Sequence, residues 1–403
     1  MTSGAEMAFD KFRAFMDVGR VQGFPVTAAV AILGSLTAGR GPSVYDLAWL
    51  VVISLLAHMS GAALNELWDR RLDSAVGALA QKPLVRGILS PEEAKGLVAC
   101  FVPVSLLTTL AVFGVPAFLA LLLASAWMVW YCTAGKRTFI VNDLAQSVGY
   151  AAFALFGALA VGAPTALTWP YLGVVAALVL FTQWGNNLKD ADNDRRFGIP
   201  SIAVRTGVSS ARGLDARHPY FMYGAAVKAA FMTFCTLPVF LVSVPMAYIL
   251  IVLSLGWPVQ YFTMREFIGQ KTRPQYVRLL LGDLLLSYPA AAAISMMTAG
   301  LVGFLLLGMF VFGGYLAGSA LQSGAEFRFR WPASGRARRR PEPKARPARI
   351  SGAPFMITWA PGGKSGFVAV GSHLRELRPP ESLPPRKYDG SRCDGVCIVE
   401  PMN

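Results

Sequence analysis

Apolar segments of membrane-spanning length follow one another along the first 320 residues of the chain. A helix needs about 20 largely apolar residues to cross the hydrocarbon core of a bilayer. Candidate segments lie at 24–36, 48–64, 97–113, 117–132, 144–161, 172–184, 221–242, 247–262, 279–297 and 301–321. The last two are alternatively one long kinked element. The pattern therefore predicts nine or ten transmembrane helices.

The composition supports an all-α integral membrane protein. Hydrophobic residues make up 54% of the chain and charged residues only 15%, whereas soluble domains carry about 25% charged residues. The mean hydropathy is +0.48. These values exclude a secreted disulfide scaffold, a disordered regulator and a standard nucleic-acid-binding domain.

The distribution of positive charge predicts how the chain is oriented. The net charge is +14, and basic residues concentrate before the first segment, in every second loop and in the C-terminal tail. By the positive-inside rule these parts are cytoplasmic. A high content of Ala, Gly and Arg favours a bacterial cytoplasmic (inner) membrane. No nucleic-acid partner is needed to explain the charge.

Three regions follow from these patterns. We expect a cytoplasmic N-terminal segment at 1–22, a transmembrane domain at 23–322 and a basic, Pro- and Arg-rich, largely disordered tail at 323–403. Within the tail, apolar residues at 355–359 and 367–370 are compatible with a small hairpin. Membrane lipid is an expected partner, and no obligate protein partner is evident.

Two acidic motifs repeat within the chain. Both have the pattern Asn-x3-Asp-x3-Asp and lie at the predicted cytoplasmic ends of the second and sixth segments. All three positions are offset by 121 residues, at Asn65, Asp69, Asp73 and at Asn186, Asp190, Asp194. Residues four apart share a helical face. Because four segments separate the copies, both face the same side of the membrane, and the repeat is parallel.

Stacked carboxylates repel one another unless a cation lies between them. Carboxylate and amide oxygens suit hard divalent cations, and Mg²⁺ in particular combines one or two protein carboxylates with water and substrate phosphate oxygens. The two motifs therefore predict a site for Mg²⁺ and a diphosphate. Ordinary charged helix ends explain one such motif, but poorly explain two in register. Nearby cations are Lys82, Arg86, Lys136, Arg137, Lys189 and Arg195.

These motifs resemble those of the UbiA-type intramembrane aromatic prenyltransferases, such as the 4-hydroxybenzoate and 1,4-dihydroxy-2-naphthoate enzymes. The run N-E-L-W-D-R-R-L-D from Asn65, with K-P-L-x2-G-x2-S from Lys82, is similar to the family's first motif. The run N-N-L-K-D-x3-D from Asn186 is similar to the second. Tyr131 before Lys136-Arg137 resembles the family's tyrosine and basic pair. Glu66 stands where the family usually has Asp, and Lys82 replaces its usual Arg.

The resemblance implies a bundle of two parallel four-helix repeats around a central cavity. It also implies transfer of a prenyl group from a prenyl diphosphate to an aromatic, quinone-precursor-like or other lipid-soluble acceptor, with release of diphosphate. The implied catalytic and Mg²⁺-binding residues are Asp69, Asp73, Asp190 and Asp194. The implied substrate-binding residues are Asn65, Arg70, Tyr131, Lys136, Arg137, Asn186, Asn187 and Lys189.

Two other functions fit parts of the pattern. A UbiA-related terpene cyclase would keep the metal site and close the prenyl cation on its own chain. An ion-coupled transporter would need carboxylates inside the membrane. Within the apolar segments the ionisable residues are His58, Lys228 and Asp283. We expect His58 to be a hydrogen-bonded helix residue, and Lys228 and Asp283 to extend towards the interface.

Overall fold

The computed structural model describes residues 4–75, 79–135, 138–139, 141–209 and 212–321, and three short segments of the tail. The chain divides into two units, Met1–Phe329 and Arg330–Asn403. All the described helices belong to the first unit, and all the described strands belong to the second.

The first unit contains fifteen helices within the described ranges. A 3-10 turn at Val21–Gly23 precedes the second helix, another at Ala293–Ser295 precedes the last, and a π-helical segment at Leu250–Gly256 joins α12 to α13. The helices are α1 Gly4–Val18, α2 Phe24–Leu36, α3 Val44–Ser74, α4 Pro83–Arg86, α5 Pro91–Phe113, α6 Val115–Thr133, α7 Val141–Val161, α8 Thr168–Arg196, α9 Ile202–Arg205, α10 Pro219–Thr236, α11 Pro238–Leu241, α12 Met246–Ile249, α13 Trp257–Glu266, α14 Arg273–Ala292 and α15 Met296–Leu321.

Local sequence sets where the long helices begin. Ser43 accepts from the backbone N–H of Asp46 at the start of α3, and the Asp46 side chain accepts in return from the backbone of Ser43. α5 and α14 begin with the same reciprocal capping arrangement. Each of these capping boxes provides hydrogen-bond acceptors for backbone N–H groups that the start of a helix otherwise leaves without partners.

Seven helical segments in the described part of the chain are long and apolar enough to cross a membrane. α2 falls in a shorter apolar stretch, and α14 and α15 count as one segment of 47 residues. α8 is not among the seven, because a polar run begins at Asn186 and leaves only a short apolar stretch. The count of nine or ten spans therefore stays a prediction.

Two sets of helices repeat in chain order. The set α2, α3, α5 and α6 is followed by the set α7, α8, α10 and α12–α13, and in each set a four-residue helix follows the acidic motif. The leading helices of the two sets, α2 and α7, are in close contact. An added Cβ at Gly34 would overlap the carbonyl oxygen of Ala154, and one at Gly157 would overlap that of Ala31. Small residues thus bring the two backbones together.

A buried ion pair joins α10 to α14. Lys228 Nζ lies 2.6 Å from Asp283 Oδ2, and the two side chains are 5% and 3% exposed. The amine also donates to Ser287 Oγ at 3.0 Å and to Gln260 on α13. The expectation that Lys228 and Asp283 reach for the interface is therefore wrong, because each finds its counter-charge inside the bundle.

The second unit contains a small antiparallel sheet. β1 (Ile357–Trp359) pairs with β2 (Gly366–Val370), and β2 pairs with β3 (His373–Leu377). In register, Ile357 is opposite Val368 and Val368 is opposite Arg375. The first pair forms at the hairpin expected from the apolar residues of the tail. The region boundaries at residues 22 and 322 stay predictions.

The ion pair between α10 and α14 predicts a non-additive stability pattern. Lys228→Met leaves a buried carboxylate without its cation and should cost about 3 to 5 kcal/mol of unfolding free energy. Asp283→Leu should cost a similar amount, whereas the double variant should recover most of the loss, since no buried charge is left. Thermal unfolding of the purified protein in detergent measures this, and equal midpoints for wild type and Lys228→Met would contradict it.

Candidate active site

The first acidic motif lies on the polar last turns of α3. The amide of Asn65 donates from Nδ2 to Asp69 Oδ2 at 3.2 Å, as expected for residues four apart on one helical face. The Asn65 Oδ1 faces the thiol of Cys132 on α6 at 4.0 Å. The motif is therefore placed where α3 and α6 meet.

Two cations neutralise the carboxylates of this motif. Lys82 Nζ lies 3.0 Å from Glu66 Oε1 and 2.8 Å from Asp73 Oδ2. Arg20 donates to the same Glu66 oxygen at 2.5 Å. Burial lowers the pKa of the Lys82 amine, but the carboxylates of Glu66 and Asp73 outweigh that effect and raise the pKa above its usual value. Lys82 is therefore a charged partner of the motif.

An arginine within the first motif, and one directly after the second, holds the loop that follows. Arg70 donates from Nε to the carbonyl oxygen of Leu84, in α4, at 3.2 Å. Arg195 donates to the carbonyl oxygen of Val208, just beyond α9, and lies 3.1 Å from Asp192. The structure thus gives Arg70, expected to bind substrate, a contact with the loop backbone.

The asparagines of the second motif have different surroundings. Asn187 donates from Nδ2 to Asp143 Oδ1 at 2.6 Å, and its Oδ1 accepts from Asn142 at 3.4 Å. Tyr223 on α10 donates to the other Asp143 oxygen at 3.0 Å. Asn187 therefore ties α8 to α7 and α10. Asn186 is half-buried on the adjacent position of α8.

Two cations contact the carboxylate of Asp190. Lys189 Nζ lies 3.3 Å from Asp190 Oδ2, and Arg273 Nε lies 3.1 Å from Asp190 Oδ1. Asp194 lies one turn further along α8, beyond its apolar part. Burial raises the pKa of Asp194 to about 7, and the nearby Asp190 carboxylate adds to the rise. A further cation at this place would favour the ionised form.

The tyrosine expected at the site is buried on α6. Tyr131 donates its hydroxyl to Gln183 Oε1 on α8 at 3.4 Å. This contact lies one turn before the second motif, so Tyr131 is placed beside it. Lys136 and Arg137 lie outside the described residues.

A groove of about 570 Å³ opens beside the second motif. It lies between the polar end of α8 and the start of α14. Its lining includes three basic side chains, Lys189, Lys271 and Arg273, one carboxylate, Asp192, and several amides and hydroxyls. Two of these basic side chains, Lys189 and Arg273, also contact Asp190, so the groove carries a net positive lining close to the second motif.

The sequence matches the profile of the UbiA prenyltransferase family over residues 24–282, which is more than half of the chain. The chain belongs to the UbiA prenyltransferase family. It is therefore an integral membrane protein and an enzyme that transfers prenyl groups, and the predicted all-α membrane architecture is confirmed.

Individual relatives in the UbiA family are distant. The chain is 29% identical over 209 residues to digeranylgeranylglyceryl phosphate synthase of Korarchaeum cryptofilum, covering 49% of this chain and 69% of that protein. It is 26% identical over 210 residues to 4-hydroxybenzoate solanesyltransferase of Synechocystis sp., covering 51% and 67%. A UbiA homolog from Archaeoglobus fulgidus bound to GPP and Mg²⁺ superposes with a TM-score of 0.53 at 17% identity, covering 70% of this chain and 99% of that one.

The donor atoms of the two motifs suit a hard divalent cation. All are carboxylate or amide oxygens, the ligands that Mg²⁺ prefers. In the described part of the chain, no three His, Cys, Asp or Glu side chains are grouped to hold a metal by themselves. The residues present therefore fit a cation that takes one or two carboxylates from a motif and its other ligands from phosphate and water.

Four neighbours of the site escaped the sequence analysis. Lys271 and Arg273 precede the predicted span at 279–297 and were counted only as loop charges. Asp143 directly precedes the fifth apolar segment and carried no motif. Arg20 precedes the first segment and was used only for orientation. The sequence marks each of them only as a charged residue at the edge of a span. Such residues are common in membrane proteins and do not by themselves indicate a site.

The contacts of Lys82 predict a measurable stability effect. Lys82→Met removes a cation from two largely buried carboxylates and should cost about 2 to 3 kcal/mol of unfolding free energy in the absence of Mg²⁺. Lys82→Arg should retain most of the stability. Lys95→Met is a matched control, because the Lys95–Glu92 pair is well exposed and should be worth about 0.5 kcal/mol or less. Equal losses in the Lys82→Met and Lys95→Met proteins by thermal unfolding would contradict the prediction.

Proposed function

We propose that this protein is a Mg²⁺-dependent prenyltransferase that moves a prenyl group from a prenyl diphosphate to an aromatic acceptor and releases diphosphate. One observation carries the proposal. Two copies of Asn-x3-Asp-x3-Asp end α3 and α8, and a carboxylate of each copy is in contact with a lysine or arginine side chain. The Archaeoglobus fulgidus homolog, described as bound to GPP and Mg²⁺, supports the choice of ligands.

Four carboxylates are proposed to hold the metal, and the two leading asparagines to support them. These residues are Asp69, Asp73, Asp190 and Asp194, with Asn65 and Asn186. When bound, Mg²⁺ would neutralise the charge that develops on the leaving diphosphate.

The basic side chains then have two alternative partners. Lys82 and Arg273 each contact a carboxylate of a motif. With a divalent cation on those carboxylates, the same ammonium and guanidinium groups are available to diphosphate oxygens, which are strong acceptors of charge-assisted hydrogen bonds. Lys189 and Arg20 are placed to do the same. Lys136, Arg137 and Arg70 are proposed as further contacts with the substrates.

The reaction balances without an oxidant or reductant. The bond between C1 of the prenyl chain and the diphosphate oxygen breaks, and its electron pair leaves with the diphosphate. A ring carbon of the acceptor forms the new bond to C1 and then loses its proton, which restores aromaticity. The apolar interior of the helical bundle excludes water, which would otherwise capture the allylic cation.

An acceptor that carries an anionic group suits the groove beside Asp190. Lys189, Lys271 and Arg273 offer it positive charge. The relatives differ in their acceptors by name, one acting on 4-hydroxybenzoate and another producing a glyceryl phosphate. We propose an aromatic carboxylate of the quinone-precursor type, on the strength of the first motif and its K-P-L extension.

We also propose that the acidic ends of α3 and α8 face the cytoplasm of a bacterial inner membrane. Arg20, Lys82 and Lys271 lie at that side, and basic residues favour the cytoplasmic face. The tail from residue 323 adds a net positive charge that suits anionic lipid.

A direct assay tests the proposal. The detergent-purified protein is incubated with prenyl diphosphates of several lengths and with hydroxybenzoate, dihydroxynaphthoate or homogentisate, and diphosphate and alkylated product are measured. We expect both products only with Mg²⁺, and a loss of at least about a hundredfold in the Asp69→Ala/Asp190→Ala double variant.

Asp215→Ala is the matched control for this assay, because Asp215 is exposed in a loop outside both motifs and its loss should leave the rate unchanged. Diphosphate release that persists in the double variant would contradict the metal assignment. Release that needs no acceptor would contradict transfer to an aromatic ring.

A further inference from the structure

Arg20 has an unusual backbone conformation next to the first acidic motif. Its φ and ψ are both 46°, in the left-handed region, and it is the one non-glycine residue with positive φ among the described residues. An L-residue pays roughly 1 to 2 kcal/mol for this conformation. Such a conformation persists only where the surroundings enforce it.

One enforcing contact comes from α3. His58 Nε2 lies 3.0 Å from the carbonyl oxygen of Arg20, and His58 Nδ1 lies 2.8 Å from Thr27 Oγ1 on α2. His58, on α3, therefore holds the turn at Arg20 in place and also contacts α2 through Thr27. This agrees with the expectation that His58 is a hydrogen-bonded helix residue.

The other enforcing contact comes from α15. An added Cβ at Gly318 would lie 2.5 Å from the Cα of Gln22 and 2.9 Å from its backbone nitrogen. One at Gly314 would lie 2.5 Å from the ring of Pro25. Gly314 and Gly318 are one turn apart, so this face of α15 lies directly on the turn at Val21–Gly23 and on the start of α2. In contrast, nothing lies within 4 Å of a Cβ at Gly308 on the same helix.

The turn that His58 and Gly318 hold in place determines where the Arg20 side chain lies. Its guanidinium lies 2.5 Å from Glu66 Oε1, in the first acidic motif. The neighbour of Gly318 is backbone, which cannot swing aside as a long side chain does. A Cβ at 318 therefore requires residues 21–23 or α15 to shift, and either shift removes the contact that holds the turn at Arg20.

We propose that α15 is a positioning element for donor binding, and that Gly318 and Gly314 act by setting the turn that aims Arg20 at the first acidic motif. The proposal rests on the proposed function, in which the positive charges at this motif bind the diphosphate of the donor. It gives the last helix a part in the reaction although none of its residues belongs to either motif.

The test compares Gly318→Ala with Gly308→Ala. Donor affinity is measured by calorimetric titration of the detergent-purified protein with a prenyl diphosphate in the presence of Mg²⁺, and thermal unfolding is recorded alongside. We expect Gly318→Ala to weaken donor binding roughly tenfold, as for the loss of one charge-assisted hydrogen bond, with the KM for the acceptor unchanged. Gly308→Ala should leave donor affinity at the wild-type value. Gly314→Ala provides a second test if Gly318→Ala does not fold.

A double-mutant cycle shows whether the effect passes through Arg20. In an Arg20→Gln background, Gly318→Ala should weaken donor binding no further, because the group that it misplaces is gone. Additive losses, or equal losses in Gly308→Ala, would overturn the proposal. If the wild-type protein binds no prenyl diphosphate, the proposed function fails instead. Thermal unfolding of the same four proteins then decides whether Gly318 acts on the turn at Arg20. We expect Gly318→Ala to lower the unfolding midpoint less in the Arg20→Gln background than in the wild type, and additive losses of stability would overturn the inference.

Discussion

Repulsion among carboxylates at the ends of α3 and α8 is the constraint around which this end of the helical bundle is arranged. Each motif places several acidic groups within three helical turns, close enough for their charges to repel one another. Cations from distant parts of the chain neutralise several of these carboxylates. Lys82 bridges Glu66 and Asp73, and Arg273 reaches Asp190 from the start of α14.

The segments that follow the two motifs are short and are held by arginine side chains. α4 follows Lys82 directly and accepts a hydrogen bond from Arg70 at Leu84, while Arg195 holds the corresponding turn after the second motif. The internal repeat therefore extends beyond the acidic residues to the short helix that follows each motif and the arginine that holds it. The repeat does not extend to the counter-charges, because Lys82 precedes α4 whereas Arg273 lies at the start of α14.

Sequence alone predicts the features that are local. The length of each apolar segment predicts a helix, and the four-residue spacing of Asn and Asp predicts the paired motifs. Both patterns depend on residues that lie a few helical turns apart. Contacts between residues that are distant in the sequence are not predicted by such local patterns. Nothing in the neighbourhood of Lys228 points to Asp283, 55 positions away, so each was expected to reach the interface alone. The Arg273–Asp190 contact spans 83 positions and was missed for the same reason, as was the role of Asp143 beside Asn187.

Burial separates two kinds of ion pair in this molecule. Lys228 and Asp283 are 5% and 3% exposed, so neither can leave the other without a large desolvation cost, and the pair is a permanent part of the bundle. Arg273 and Asp190 are 26% and 31% exposed, and water can solvate either partner as it is released. The Lys82–Asp73 pair lies between these two cases, with side chains 19% and 7% exposed. We propose that Arg273 and Lys82, unlike the more deeply buried Lys228, exchange a carboxylate for a phosphate. The same chemistry of opposite charges therefore stabilises the fold at one depth and remains open to a ligand at another.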